Sequence, residues 1–178
     1  MRGTESHLRP SEKQYDWLGH GIYFWEGNPS RAMEWAIGRQ GMGKIQTPFV
    51  LGAIIDLRRC LDLFDHDALV QVKTVHAELR KTVRTVGAVM PKNLGHTPDK
   101  AGRKLDCAVM NYLHKYRQKR DETEYDSVRA PFLEGSKLYP GAGFRSENHI
   151  QLCVRTADCI KGYFLPVLSN GFTPAQAT

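Results

Sequence analysis

One short segment, GHGIYFWEGNPSRAMEWA, constrains the fold more than any other part of the sequence. Gly19 and Gly21 mark a turn, and the four apolar residues that follow, IYFW, suit a buried strand. Asn28 is a favourable helix N-cap, and Pro29 after it suits the first helical position. The segment therefore predicts a turn, a short strand and then an amphipathic helix over 29–39.

The remaining apolar patterns predict a mixed α+β fold. Apolar residues that recur three or four positions apart indicate two long helices, over 67–86 and 103–120. Strands are predicted at 22–25, 49–57, 125–132, 149–155 and 160–166, with a loop over 88–102. Trp35 is assigned to the buried face of the first helix. Strands that cluster late in the chain favour an α+β domain over 1–168, with 169–178 as a frayed tail.

Composition excludes several classes of protein. Of the 178 residues, 41% are hydrophobic and 25% charged, and no run approaches the roughly 18 apolar residues of a membrane span. The polar N-terminus lacks the apolar core of a secretory signal, and the four cysteines show no metal-ligand spacing. We therefore expect a cytoplasmic protein with no metal and no membrane partner.

The charge balance bears on partners. The formal net charge of +6 favours an acidic partner such as nucleic acid, a nucleotide or an acidic protein. Mildly basic proteins without such a partner are equally common. Motifs for phosphate-binding loops, dinucleotide-binding Rossmann domains, zinc peptidases and serine hydrolases do not occur, which argues against those classes.

The glycine-aromatic segment contains the first candidate site residues. Gly19 and Gly21 would let the backbone approach a ligand, with His20 between them, and an aromatic ring after them can stack on a flat ring such as nicotinamide or adenine. Because successive strand residues point to opposite faces, only one of Tyr23 and Phe24 is expected to reach a pocket. The alternative is a tight turn that leads into a core strand, with His20 an ordinary loop residue.

Polar side chains around the late glycine-rich loop form the second candidate group. Its members are Arg129, Glu134, Glu147, His149 and Gln151. Arg31 is a separate candidate, in the first turn of the helix over 29–39. An arginine in a first helical turn can serve an anionic ligand or lie on the surface. His149 and Gln151 share one strand face, where they would line a cleft or face solvent. Arg129 lies within a predicted strand, where a charge needs a partner or an exposed face.

The segment GHGIYFWEGNPSRAMEWA resembles the second signature of the ADP-ribosyltransferase superfamily, in its PARP-like and diphtheria-toxin-like branch. The resemblance covers 15–36 and 125–166 and is closest to small bacterial members. It implies an ADP-ribosyltransferase-like fold of split β-sheets flanked by helices, with NAD as cofactor. It also implies that Tyr23 stacks on nicotinamide. The other NAD-binding candidates that it implies are Gly19, His20, Gly21, Phe24 and Arg31.

The resemblance is incomplete at two places. The family's third signature is a glutamate that opens a late strand and bonds the ribose, and here the alignment places Gln151 there, with His149 and Glu147 as further catalytic candidates. A glutamine offers no full negative charge to an oxocarbenium-like centre. The first signature has the letters of Arg2-Gly3-Thr4, but only 14 residues separate Thr4 from Gly19. That spacing is too short for the elements the family places between, so we expect the first strand to be missing.

These features lead to one main functional expectation and two alternatives. The resemblance implies an NAD-dependent transferase that modifies a macromolecule, nucleic acid or protein, as a bacterial toxin or phage-defence effector with a cognate antitoxin. The first alternative is a catalytically impaired module of the same fold that binds a nucleotide or RNA. The second is a structural or interaction domain held together by its two long helices.

Overall fold

The computed structural model describes residues 8–95 and 102–168. Arg2-Gly3-Thr4, the tail over 169–178 and part of the loop over 88–102 lie outside the described residues. The described part is mixed α+β, with three α-helices and two sheets. No α-helix in it has the length and apolar character needed to cross a membrane.

The helices and strands follow one another in a simple order. The strands are β1 (Ile22–Trp25), β2 (Gly52–Ile55), β3 (Cys60–Asp62), β4 (Ser127–Phe132), β5 (His149–Val154) and β6 (Ile160–Phe164). The helices are α1 (Pro29–Gly41), α2 (His66–Thr85) and α3 (Lys104–Gln118), with a short 3₁₀ turn at Ala157–Cys159. The three predicted helices and five predicted strands are confirmed, with ends that shift by a few residues.

Local sequence explains where α1 begins. The Asn28 side chain accepts a hydrogen bond from the Arg31 backbone N–H at 3.0 Å, and Pro29 occupies the first turn. Both features satisfy or remove N–H groups that have no partner within the helix. The start of the helix is therefore fixed immediately after β1, which is what brings α1 to the edge of the sheet.

The larger sheet has the strand order β1-β5-β4-β3. Its first three strands are antiparallel, and β3 pairs with β4 in parallel. Strand β3 was not predicted, because three residues preceded by two arginines give no apolar alternation. The smaller sheet pairs β2 with β6 and is shorter than predicted, with a register irregularity after Ile54.

The larger sheet has a different neighbour on each face. One face packs against α2 and α3 in the main core, which includes Leu61, Val75, Leu113, Val128 and Cys153. The other face packs against the smaller sheet through a second cluster of Ile22, Val154 and Cys159, with Phe24 and Ile55 beside it. Since side chains alternate along β1, Tyr23 faces the helices, whereas Ile22 and Phe24 face the smaller sheet.

Candidate functional site

A cleft of about 790 Å³ lies between the two sheets. Aromatic and aliphatic side chains from β1, α1, the segment before β2, and β6 form its walls. Its aromatic lining consists of Tyr23, Phe24, Trp25, Trp35, Phe49 and Phe164. The volume falls in the range of about 300–1,000 Å³ typical of ligand pockets. A cleft of this size and lining suits a ligand with flat rings.

Two tryptophans form one wall of this cleft. The ring centroids of Trp25 and Trp35 are 5.6 Å apart, and the Arg39 guanidinium lies 5.4 Å from the Trp35 ring centroid. Trp35 is 47% exposed, so the prediction that it belongs to the core is wrong. The helix does turn an apolar side inward, but only Ala36 on it is buried, and the larger ring extends into the cleft.

The first turn of α1 borders the same cleft through Asn28 and Pro29. This 13-residue helix has no acidic residue in its first turn. A helix N-terminus carries a partial positive charge and N–H groups that point along the axis, which favours anions such as phosphate. One end of the aromatic cleft is therefore electrostatically suited to a negatively charged group.

Four polar side chains meet where α1, the loop between β4 and β5, and the start of β5 come together. We call these residues the Arg31 cluster: Arg31, Glu134, Glu147 and His149. The Arg31 guanidinium contacts the Glu147 carboxylate at 2.8 Å and the Glu134 carboxylate at 3.4 Å. The His149 Nδ1–H donates to the Glu147 backbone oxygen at 2.7 Å, and Nδ1 lies 3.7 Å from the Glu134 carboxylate. Four candidates from separate parts of the sequence, Arg31, Glu134, Glu147 and His149, thus come together.

Buried polar atoms without a hydrogen-bond partner concentrate around this cluster. Six such side-chain atoms occur in the described residues, and four of them belong here. They are Trp25 Nε1, Arg31 Nε, Asn148 Oδ1 and His149 Nε2. A buried polar atom without a partner is costly, so the set calls for ordered water or a ligand group that both donates and accepts. Trp25 joins the two regions, since its ring lies 5.6 Å from Trp35 and 6.4 Å from His149.

Tyr23 is held on the helix side of the sheet. Its hydroxyl donates to the Gly19 carbonyl oxygen at 2.7 Å and accepts from the Leu18 N–H at 2.9 Å. Burial, followed by the neighbouring Cys153, raises the pKa of Tyr23 far above its usual value. Although the residue borders the cleft, its side chain packs with the main core. This placement favours a structural role for the ring over stacking on nicotinamide.

The glycines before β1 are required by packing. Gly19 has φ = +84°, which favours glycine, and an added Cβ there would lie 2.8 Å from Asn111 Oδ1. An added Cβ at Gly21 would lie 2.7 Å from the Val154 carbonyl oxygen. The His20 backbone N–H donates to the same Asn111 oxygen at 3.0 Å, and its side chain is exposed. The close approaches here are to α3 and β5, and none of these three residues lines the cleft.

Gln151 and Phe24 differ in what they face. Gln151 pairs with Trp25 on one side and Ala130 on the other, so it lies on the same face of the larger sheet as Tyr23, which is two positions along β1, and it does not line the cleft. The expected proximity of Tyr23 and Gln151 is therefore present. Phe24 reaches the cleft, as expected of one of the two aromatic neighbours in β1.

Arg129 has the partners that its place in a strand requires. Its guanidinium donates twice to the Glu26 carboxylate, at 2.6 and 3.0 Å, and once to the Asp62 carboxylate at 3.0 Å. The bonds to Glu26 are the main cause of a raised Arg129 pKa. These ion pairs link β4 to β3 and to Glu26, which follows β1 directly and lines the cleft.

Sequence reasoning missed Trp35 and Phe164 as cleft residues and Asn148 as part of the polar set. A signal existed only for Trp35, whose helical position places it one turn after Arg31 on a capped helix. No group of three potential metal-ligating side chains occurs in residues 8–95 and 102–168. Comparison with protein-family models, curated protein sequences and solved structures gave no match to the chain.

Proposed function

We propose that the chain is an ADP-ribosyltransferase-like protein that binds NAD in the cleft between its two sheets. The observation that carries the proposal is the combination of an aromatic cleft, a helix N-terminus at its border and a polar cluster next to it. The cleft volume of about 790 Å³ is sufficient for a dinucleotide. The two-sheet arrangement agrees with the split sheets that the sequence resemblance implies.

Each part of the cleft has a partner in the chemistry of NAD. Phe24 and Trp35 offer ring faces for the nicotinamide or adenine ring. The start of α1 offers positive potential to the pyrophosphate, although Pro29 has no N–H and the Arg31 N–H is already bonded to Asn28. The donors and acceptor around Trp25 and Asn148 match a carboxamide, which both donates and accepts.

The chemistry that follows is loss of nicotinamide from the ribose C1 and attack by an acceptor group. Positive charge develops on the ribose, and carboxylates or amide dipoles held nearby stabilise it. The carboxylates of the Arg31 cluster, next to the cleft, are the groups of this chain that would supply that field, with His149 orienting the cluster. The resemblance implies the same role for Gln151, which would need a ribose that reaches beyond the cleft lining. Positioning contributes the remainder, because the bound rings fix the reacting carbon relative to the acceptor.

We propose a macromolecular acceptor, with nucleic acid favoured over protein by the net charge of +6. A toxin or phage-defence role inside a bacterial cell, held in check by an antitoxin protein, is the setting that the resemblance suggests. The test is incubation with labelled NAD and a lysate, followed by nuclease or protease digestion of the labelled product. Loss of label with nuclease alone identifies a nucleic acid acceptor.

The site itself is tested by calorimetry with NAD and by nicotinamide release. Trp35→Ala should weaken NAD binding by about 1–3 kcal/mol if its ring stacks on a base-like ring. Tyr15→Ala is a matched control, because Tyr15 is also 47% exposed but does not line the cleft. Equal affinities for both variants and the wild type would contradict NAD binding in this cleft.

A second candidate function is a non-catalytic nucleotide- or RNA-binding module of the same fold. It is favoured by the ion pairs of Glu134 and Glu147 with Arg31, which leave both carboxylates partly neutralised. Nicotinamide release separates the two candidates. NAD binding without release, in the wild type and in Gln151→Glu, would favour the binding module.

A further inference from the structure

A second cavity lies on the other side of the larger sheet, between that sheet and the helices. Its volume is about 420 Å³. Its apolar lining includes Trp17, Leu69, Val72, Val109, Ala130 and Phe132. The cavity opens to the surface beside the half-exposed Leu69, and its volume lies within the range of about 300–1,000 Å³ typical of ligand pockets. Because it faces the helices, it is separate from the cleft between the sheets, and the inference below does not depend on the proposed function.

Basic groups border this apolar cavity. Lys73, His76 and Arg103 line it, together with a single acid, Asp106. Asp106 is already engaged, because it accepts from Asn93 Nδ2 at 2.9 Å and from Arg103 Nη1 at 3.1 Å. Within the described part of the chain, no ion pair engages Lys73. The border of the cavity therefore has positive charge that is not compensated.

Arg103 is held in place with donors to spare. Its guanidinium lies 4.0 Å from the Trp17 ring centroid and 5.9 Å from that of Phe132. Its Nε is buried without a hydrogen-bond partner among the described residues, and its bond to Asp106 uses only Nη1. An arginine fixed on aromatic rings, with unused N–H groups, is well suited to a carboxylate.

The neighbouring helix adds to the positive potential. Helix α3 begins directly after Arg103, so the positive end of its dipole lies at this border. The Asn93 side chain accepts from the Leu105 and Asp106 N–H groups at 2.9 and 3.2 Å. Those N–H groups therefore have a partner, and Arg103 and Lys73 remain as the groups that would bind a ligand.

We propose that this cavity binds an amphipathic carboxylate, with its hydrocarbon tail among the apolar side chains and its carboxylate on Arg103 and Lys73. An apolar tail gains by leaving water, and a charge-assisted bond to arginine fixes the head. A cationic head on the same tail would meet Lys73 and Arg103 and be repelled. The head charge is therefore the discriminating property.

The test uses decanoate as the probe and decyltrimethylammonium as the cationic control, both below their micelle-forming concentrations. Isothermal titration calorimetry should show one decanoate per chain and at least about tenfold weaker binding of the cation, a difference of about 1.4 kcal/mol. Arg103→Gln should weaken decanoate binding about tenfold, whereas Lys115→Gln, at the far end of α3, should not change it.

A cavity-filling variant tests the location. Val72→Phe should abolish decanoate binding, and Val70→Phe, on the exposed side of the same helix, should leave it unchanged. If Val72→Phe does not fold by circular dichroism, Leu69→Trp at the half-exposed border provides the same test. Absence of saturable decanoate binding by the wild type, equal binding of the cation, or wild-type binding by the filled variant would each overturn the proposal.

Discussion

Removal of the Tyr23 hydroxyl separates a structural role of this residue from a ligand-stacking role. In the structure the hydroxyl bridges the Gly19 carbonyl oxygen, at 2.7 Å, and the Leu18 N–H, at 2.9 Å. Leu18 is 2% exposed. Tyr23→Phe therefore keeps the ring and its packing but leaves a buried donor and a carbonyl oxygen each short of one partner.

The expected loss of stability follows from these two bonds. A buried donor or acceptor left without a partner costs about 1–3 kcal/mol, and relaxation of the turn at Gly19 reduces the sum, so we expect about 2 kcal/mol. For a chain of this length, 1 kcal/mol corresponds to about 2–4 °C in Tm, which gives a decrease of about 4–8 °C. NAD affinity should remain unchanged, because the ring faces the helices.

Thermal and urea unfolding followed by circular dichroism measure the first effect, and calorimetry with NAD measures the second. Tyr139→Phe is the control, since Tyr139 is exposed and no hydrogen bond of its hydroxyl occurs among the described residues. A Tyr23→Phe protein as stable as the wild type would refute the structural assignment. Weaker NAD binding by Tyr23→Ala at unchanged stability would restore the stacking role.

Three further predictions address the site, the core and the turn. Gln151→Glu should raise the rate of nicotinamide release about tenfold, because a charged hydrogen-bond partner stabilises the transition state more than a neutral one. Gln151→Ala should lower the rate of transfer to the acceptor. Equal rates of nicotinamide release by the wild type and both variants would reject the role of Gln151. Burial, followed by Arg155, lowers the pKa of His114 from 6.5 to about 3. As the pH falls, His114 therefore takes up a proton in the unfolded chain at a higher pH than in the folded protein. The free energy of unfolding should decrease as the pH drops from 6.5 towards 3, by at most about 1.4 kcal/mol per pH unit. The free energy of unfolding, measured with urea at several pH values over this range, should decrease less with falling pH in His114→Gln than in the wild type. Gly21→Ala should destabilise the protein by about 1–3 kcal/mol in the same assay, since its Cβ would lie 2.7 Å from the Val154 carbonyl oxygen; an unchanged midpoint would contradict this packing.

The elements predicted correctly from the sequence are those fixed by short-range interactions. Asn28 and Pro29 determine where α1 begins, through interactions that extend no more than three residues along the chain. Apolar periodicity identifies α2 and α3. Glycine-marked apolar runs identify five of the six strands. Such signals are local, because capping, backbone conformation and side-chain periodicity act over a few residues.

The tertiary structure alone decided which side chains meet. Strand order and register place Tyr23 on the helix side and Phe24 in the cleft, a choice that alternation left open. The contact between Arg31 and Glu147 joins residues 116 positions apart. Amphipathic patterning also did not reveal that Trp35 borders a cleft. The sequence pattern of an apolar helix face is the same whether that face packs against a core or lines an open cleft. These outcomes depend on non-local pairing of strands and on what covers each face, which no local pattern specifies.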